Sequence, residues 1–326
     1  MKIRERIGVI TKLQSLAIFL VVLGHSYPFE MIGDNPLPVS LLHQFIYSFH
    51  MPLFMVISGF LFVFTDIERK TPYVKFVLKK AKRLLLPYLV LGTIAFVIKG
   101  IFSTVTFDFT SYAKGMINPL ESPISQFWFL PTLFLIFLVA PLMKTMLKRN
   151  NHLASIGILL LFSIINILNP LEPATKNVLS YLVFFYLGCL TSYYFREKIT
   201  GLGSYPVLMG LFLVLVLCNM FSMEISQKSF DLLVAIVGIV FSVSLAGLIS
   251  IKNMKMFSSI DGYYYQIFLL SWFPQIFFRI LYQMNLIGYY TTIFAMLVGG
   301  LFLPVIFSKF VIEKRFPKLG IFIGLK

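Results

Sequence analysis

Two histidines stand in runs of sequence that have little use for an imidazole. LVVLGHS (20–26) carries His25, and FHMPLFMVISGFLF (49–62) carries His50. Histidine is the side chain whose ordinary pKa suits it to take a proton from a hydroxyl near neutral pH. An ionisable group inside an apolar span is costly and marks a functional site. The alternative is a neutral imidazole that bonds a neighbouring helix as packing glue. Ser26 and Ser58 are candidate hydrogen-bond donors to a developing oxyanion, or small residues that let helices approach closely. His43 and His152 fall at a span end and in a loop, and read as structural.

The elements that hold these residues follow from composition. Of 326 residues, 58% are hydrophobic and 13% charged, and 36 are Phe. A soluble domain carries about 25% charged residues, so most of this chain is expected to face lipid. About 20 apolar residues cross a hydrocarbon core of roughly 30 Å. Ten runs of that length are expected to be helical spans, because lipid offers no partner to a free backbone amide. They cover about 13–32, 43–64, 84–103, 125–143, 153–169, 177–195, 205–222, 231–250, 261–282 and 289–308. The first reads as a retained helix, since no small-residue cleavage site follows it. The fold class is therefore all-α and polytopic, with 1–326 forming one transmembrane domain.

Charge sets the orientation. Five of the 28 Lys and Arg residues, namely Lys99, Lys114, Lys176, Lys228 and Arg279, fall on one side, and all the others fall on the opposite side with both tails. Both termini are thus expected in the cytoplasm, in a multi-pass protein of a bacterial plasma membrane. The net charge of +15 is then mostly topology, and its scatter over many loops argues against a nucleic-acid partner. Cys189 and Cys218 both fall within spans and read as small core residues. No metal site is expected. With helix one starting near Leu13, His25 lies about 18 Å along it, and with helix two starting near His43, His50 lies about 10 Å down. Both depths fall in the outer half of the bilayer.

Four stretches carry a resemblance: VVLGHS, FHMPLFMVISGFLF, KKAKRLLLPYLV (79–90) and QFWFLPTLFLIFLVAPLM (126–143). Together and in this order they resemble the acyltransferase-3 family of integral membrane acyltransferases, whose layout matches almost the whole chain. The resemblance implies O-acylation, usually acetylation, of a carbohydrate such as a capsule, exopolysaccharide or lipid-linked glycan. It implies acyl-CoA, in the first instance acetyl-CoA, as a cytoplasmic co-substrate, and a catalytic histidine in the first helix. The sequence departs from the family's pattern at two places. Gln14 stands where a basic residue is usual, eleven positions before His25 and within about 20° of the same helix face. The late helix reads YYYQIFLLSWFPQ (263–275), without the histidine often found before its proline.

The assignments follow. His25 is the general base, His50 orients it or relays a proton, and an acyl-histidine intermediate is the covalent variant. Arg83, Lys80 and Lys79 are set to hold the donor's phosphates, since Lys79 and Arg83 share a helix face and arginine binds phosphate in a bidentate manner. The same charges also serve as an ordinary topological flank. Trp128 and Gln14 are assigned to substrate contact, Trp128 equally suiting an interfacial aromatic belt. The pantetheine arm is expected to thread upward between helices, with acylation of a lipid-linked precursor on the inner face as the rival arrangement. Membrane lipid and other glycan-assembly proteins are the remaining partners. The competing class is an exporter or flippase of a polysaccharide or lipid-linked glycan, which would favour matching halves with broken helices; no internal repeat is present.

Overall fold

The computed structural model describes residues 2–28, 35–66, 71–102, 109–119, 125–149, 151–168, 173–195, 207–214, 228–248 and 259–325. Among them every regular element is helical: α1 (Lys2–Gly24), α2 (Leu37–Tyr47), α3 (His50–Thr65), α4 (Tyr73–Phe102), α5 (Phe109–Ile117), α6 (Phe129–Arg149), α7 (His152–Leu168) and α8 (Pro173–Tyr194). Then come α9 (207–214), α10 (Lys228–Leu248), α11 (Tyr264–Leu270), α12 (Trp272–Gln283) and α13 (Tyr289–Ile306). Five stretches are long and apolar enough to cross a membrane: Leu37–Thr65, Tyr73–Ile101, Phe129–Arg149, Asp231–Leu248 and Tyr289–Arg315. Shorter apolar helices run over Ile10–Gly24, His152–Ile165 and Val178–Tyr194. On α7, Leu153, Leu160, Leu161 and Ile164 are all exposed. Such an apolar face suits lipid rather than water. Cys218 and most of the 205–222 run lie outside the described residues.

Several boundaries differ from the expected spans, α4 for instance starting at Tyr73 rather than near 84, and three of the differences have a local cause. The run 13–32 is helical only to Gly24, with His25 in the turn that follows. There Ser26 Oγ turns back to the Val22 carbonyl (2.6 Å), which also accepts the His25 N–H. The second expected helix starts earlier, at Leu37, and is interrupted at Ser48–Phe49, so His50 opens α3. Pro52 has no N–H to give Ser48, and proline is tolerated in the first turn of a new helix but not within an old one. The 261–282 run is interrupted at Ser271 in the same way, with Pro274 again third in the new helix. Pro87 and Pro141, by contrast, are accommodated inside α4 and α6.

The chain divides into two compact units: Met1–Ser58 with Thr191–Val305, and Gly59–Leu190 with Ile306–Lys326. In the first, α1 packs against α2, α10 and α11. Its core holds Leu13, Ala17, Ile18, Val21 and Val22 of α1, Ile46, Phe49 and Val234. In the second, α4 packs against α6 and against the C-terminal turn Pro317–Ile323. Phe62, Phe76, Phe137 and Phe185 form its aromatic centre, with ring centroids 5.5 to 6.3 Å apart. Gly59 lets two backbones meet there. A Cβ at this position would stand 2.0 Å from the Phe185 carbonyl oxygen.

Candidate active site

The end of α1 and the break between α2 and α3 bring a polar cluster together in the first unit. Tyr47 Oη lies 3.0 Å from His25 Nδ1. His25 and His50 stand edge to face, with ring centroids 6.4 Å apart. The Tyr47 ring lies against His50 (4.8 Å) and His43 (4.3 Å), and Tyr27 lies against His43 (4.8 Å). His25 is half-buried, while His50 is 2% exposed. The pair singled out in the sequence, His25 and His50, therefore does converge.

Each member is held by an identifiable contact. Gly24 sits under the Tyr47 ring, where a Cβ would come within 3.2 Å of Tyr47 Cε2 and of Ile46 Cγ2. The glycine of the LGH motif thus lets the tyrosine reach the histidine that follows it. His50 Nδ1 lies 2.9 Å from the Ile46 carbonyl. A carbonyl only accepts, so Nδ1 carries the proton and the neutral ring keeps its lone pair at Nε2. Gln275 of α12, 2% exposed, donates from Nε2 to the Val22 carbonyl (2.9 Å) and to Ser26 Oγ (3.1 Å). It ties the turn that carries His25 to the first turn of α12. Arg279 Nη2 donates to the Tyr27 carbonyl (3.1 Å), and Tyr289 Oη donates to Asn35 Oδ1 (2.8 Å).

The other assigned residues lie elsewhere. Gln14 is half-buried on α1, eleven residues and about 16 Å below His25. Its neighbour Ser15 bonds Tyr264 Oη (2.9 Å), which donates to Asp261. Ser58 is eight residues beyond His50 on α3, about 12 Å away, whereas Ser26 is beside His25. Arg83, Lys79, Lys80 and Trp128 belong to the second unit. Arg83 and Lys79 are exposed on α4. Lys80 is half-buried, with Nζ 3.4 Å above the Phe137 ring. Trp128 stacks on Tyr181 (5.2 Å) at the start of α6. Further along α6, Lys144 is paired with Asp66. Among the described residues no group of three or more His, Cys, Asp or Glu is placed to hold a metal.

Four members of the cluster were not singled out in the sequence as functional: Tyr27, His43, Tyr47 and Gln275. A signal for two of them was present. His43, Tyr47 and His50 recur at i, i+4 and i+7, one polar stripe down an apolar helix. Gln275 shows itself only as a polar residue in an apolar run.

A chain whose described elements are all helical, with several apolar spans, is an integral membrane protein. The particular family is settled by comparison: a family profile described as an acyltransferase domain matches residues 10–309, and the chain belongs to that family. It is similar to the nodulation protein NolL of Mesorhizobium japonicum, 32% identical over 133 residues, which are 40% of this chain and 34% of the relative. It is also similar to the nodulation protein NolL of Sinorhizobium fredii, 29% identical over 187 residues, 57% of this chain and 48% of the relative. The chain thus spans less than half the length of these relatives. No solved structure matches it.

Proposed function

We propose that the protein is a plasma-membrane O-acyltransferase that moves an acyl group, acetyl in the first instance, from acyl-CoA to a hydroxyl of a cell-surface polysaccharide or its lipid-linked precursor. The observation that carries this reading is the 3.0 Å pairing of His25 Nδ1 with Tyr47 Oη, inside a chain of the acyltransferase family. In this mechanism Nδ1 keeps its proton toward the phenol, and Nε2 takes the proton of the acceptor hydroxyl. The oxygen attacks the thioester carbonyl carbon, the C–S bond breaks, and the imidazolium returns the proton to the departing thiolate. His50 adjoins this exchange with its own lone pair at Nε2. Ser26, beside His25, is the better placed of the two serines to meet the oxyanion.

The donor's phosphates are assigned to Arg83 and Lys79, which both face outward on α4. Lys80 joins them only as a flanking charge, since its ammonium rests on Phe137. Trp128 and Gln14 keep their assignment to substrate contact. Ten spans with both termini in the cytoplasm remain the proposed topology.

The test uses proteoliposomes, radiolabelled acetyl-CoA and surface glycan from the producing cell, stripped of esters by mild alkali. Wild-type protein is expected to place alkali-labile label on the glycan, and His25→Ala to reduce the rate by about 10²- to 10⁴-fold, as for loss of a general base. Label transfer at an unchanged rate in His25→Ala would overturn the reading. Loss of glycan export with acylation untouched would mark an exporter instead.

A further inference from the structure

We propose that Tyr27 and His43 form the seat for the acceptor's hydroxyl groups, a polar subsite adjoining the base. The proposal rests on the acyl-transfer reading above and names the residues that meet the second substrate.

Tyr27 is 2% exposed and His43 3% exposed. Their rings lie 4.8 Å apart at 34°. Tyr27 Oη and both ring nitrogens of His43 are buried without a hydrogen-bond partner. A buried polar group left unpaired is costly, and native structures retain few of them without a reason. Several neighbouring groups are bonded to one another. Tyr47 meets His25, His50 meets Ile46, Gln275 meets Ser26 and Val22, and Tyr289 and Ser40 hold Asn35. Three unmet atoms are therefore gathered on two touching rings. Those rings are also fixed, because Arg279 holds the Tyr27 backbone and Tyr47 packs edge-on against His43 at 4.3 Å. The same Tyr47 bonds the proposed base, so the subsite is one ring removed from it.

The chemistry of these atoms selects the ligand. A neutral imidazole offers one N–H and one lone pair, and a phenol offers both. A ligand that meets all three atoms must donate as well as accept within a few ångströms. Adjacent alcohol groups of a sugar do both. A thioester, an acyl chain and an ionised phosphate or carboxylate do not donate, which excludes the donor's acyl and phosphate ends from this seat.

The chain has four histidines, so their ring nitrogens can be followed by NMR in nanodiscs with ¹⁵N-histidine. The His43 signals are assigned by their loss in His43→Phe. Adding the alkali-treated glycan to wild-type protein is expected to shift them, and adding coenzyme A is not. Signals that stay in place at glycan concentrations that saturate turnover overturn the proposal. Kinetically, Tyr27→Phe and His43→Phe are expected to raise the acceptor KM about tenfold each, the effect of one to two lost hydrogen bonds, with the donor KM within about twofold of wild type. An unchanged acceptor KM in both variants also overturns it. The glycan-induced shift in His25→Ala separates the two readings. If the shift persists while turnover is lost, both stand. If His25→Ala turns over normally, the role of His25 falls, and the subsite is judged by the shift alone.

Discussion

Tyr47→Phe isolates the contact on which the proposed chemistry depends. The substitution removes one oxygen and leaves the ring, so the packing of that ring against His43, His50 and Gly24 is retained. What is lost is the 3.0 Å bond to His25 Nδ1. In the ground state both partners are neutral, and such a bond contributes about 1 kcal/mol. During proton transfer the imidazole becomes cationic, and a hydrogen bond to a charged group contributes about 1.5–3 kcal/mol. Only the difference, about 0.5–2 kcal/mol, counts toward kcat, and with about 1.4 kcal/mol per decade of rate kcat is expected to fall about two- to thirtyfold. Because the bond strengthens only as charge develops, kcat and kcat/KM should fall together, with the KM values of donor and acceptor nearly unchanged.

The assay is the initial rate of label transfer in proteoliposomes, with thermal unfolding measured alongside. The unfolding midpoint should move little, since no volume is lost. Tyr47 acts through His25, so the double variant with His25→Ala should be no slower than His25→Ala alone. A kcat equal to that of wild type would refute the reasoning, as would a double variant slower than His25→Ala by the full factor seen for Tyr47→Phe.

Other expectations follow from single contacts. Arg83→Ala should raise the donor KM by about tenfold while leaving the acceptor KM alone, since one charged hydrogen bond to phosphate is lost; the check is a matrix of initial rates over both substrates. Gly59→Ala places a methyl 2.0 Å from the Phe185 carbonyl and should cost about 1–3 kcal/mol through overpacking, seen as a lower unfolding midpoint. Asp66→Asn leaves the Lys144 ammonium, 5% exposed, without its carboxylate partner. It should destabilise the protein by more than the double variant Asp66→Asn with Lys144→Met, because an unpaired buried charge costs more than an absent pair. Equal midpoints for the two would count against a structural ion pair.

Much of the fold was legible in the sequence because lipid simplifies the problem. A run of apolar residues that cannot be soluble must satisfy its own backbone, so residues such as 84–103 and 231–250 could only be helical. The site was legible where a polar atom had no business in such a run, which is how His25 and His50 were found. What was not legible was where helices stop. His43 was placed at a span end and set aside as structural, because the second helix was taken to begin there. The structure begins it at Leu37 and buries His43 in the cluster. The apolar count measures burial in lipid and is blind to a break such as Ser48–Phe49, which follows from a missing N–H at Pro52 rather than from hydrophobicity.

These two breaks also explain why the cluster can exist at this depth. A continuous helix spends every backbone carbonyl on its own amides and leaves polar side chains to find partners elsewhere. At these helix ends backbone carbonyls also take side chains: that of Ile46 meets the His50 ring, and that of Val22, at the end of α1, takes both Ser26 and Gln275. Gln275 itself reaches α1 from the first turn of α12, just past the break at Ser271. Backbone acceptors at two helix ends thus orient side chains that would otherwise be expensive to bury. On the proposed mechanism, His25 gains its fixed direction from Tyr47 and from the tethered turn, and His50 gains its tautomer from the Ile46 carbonyl. The proline third in each new helix is therefore as much a part of the site as the histidines.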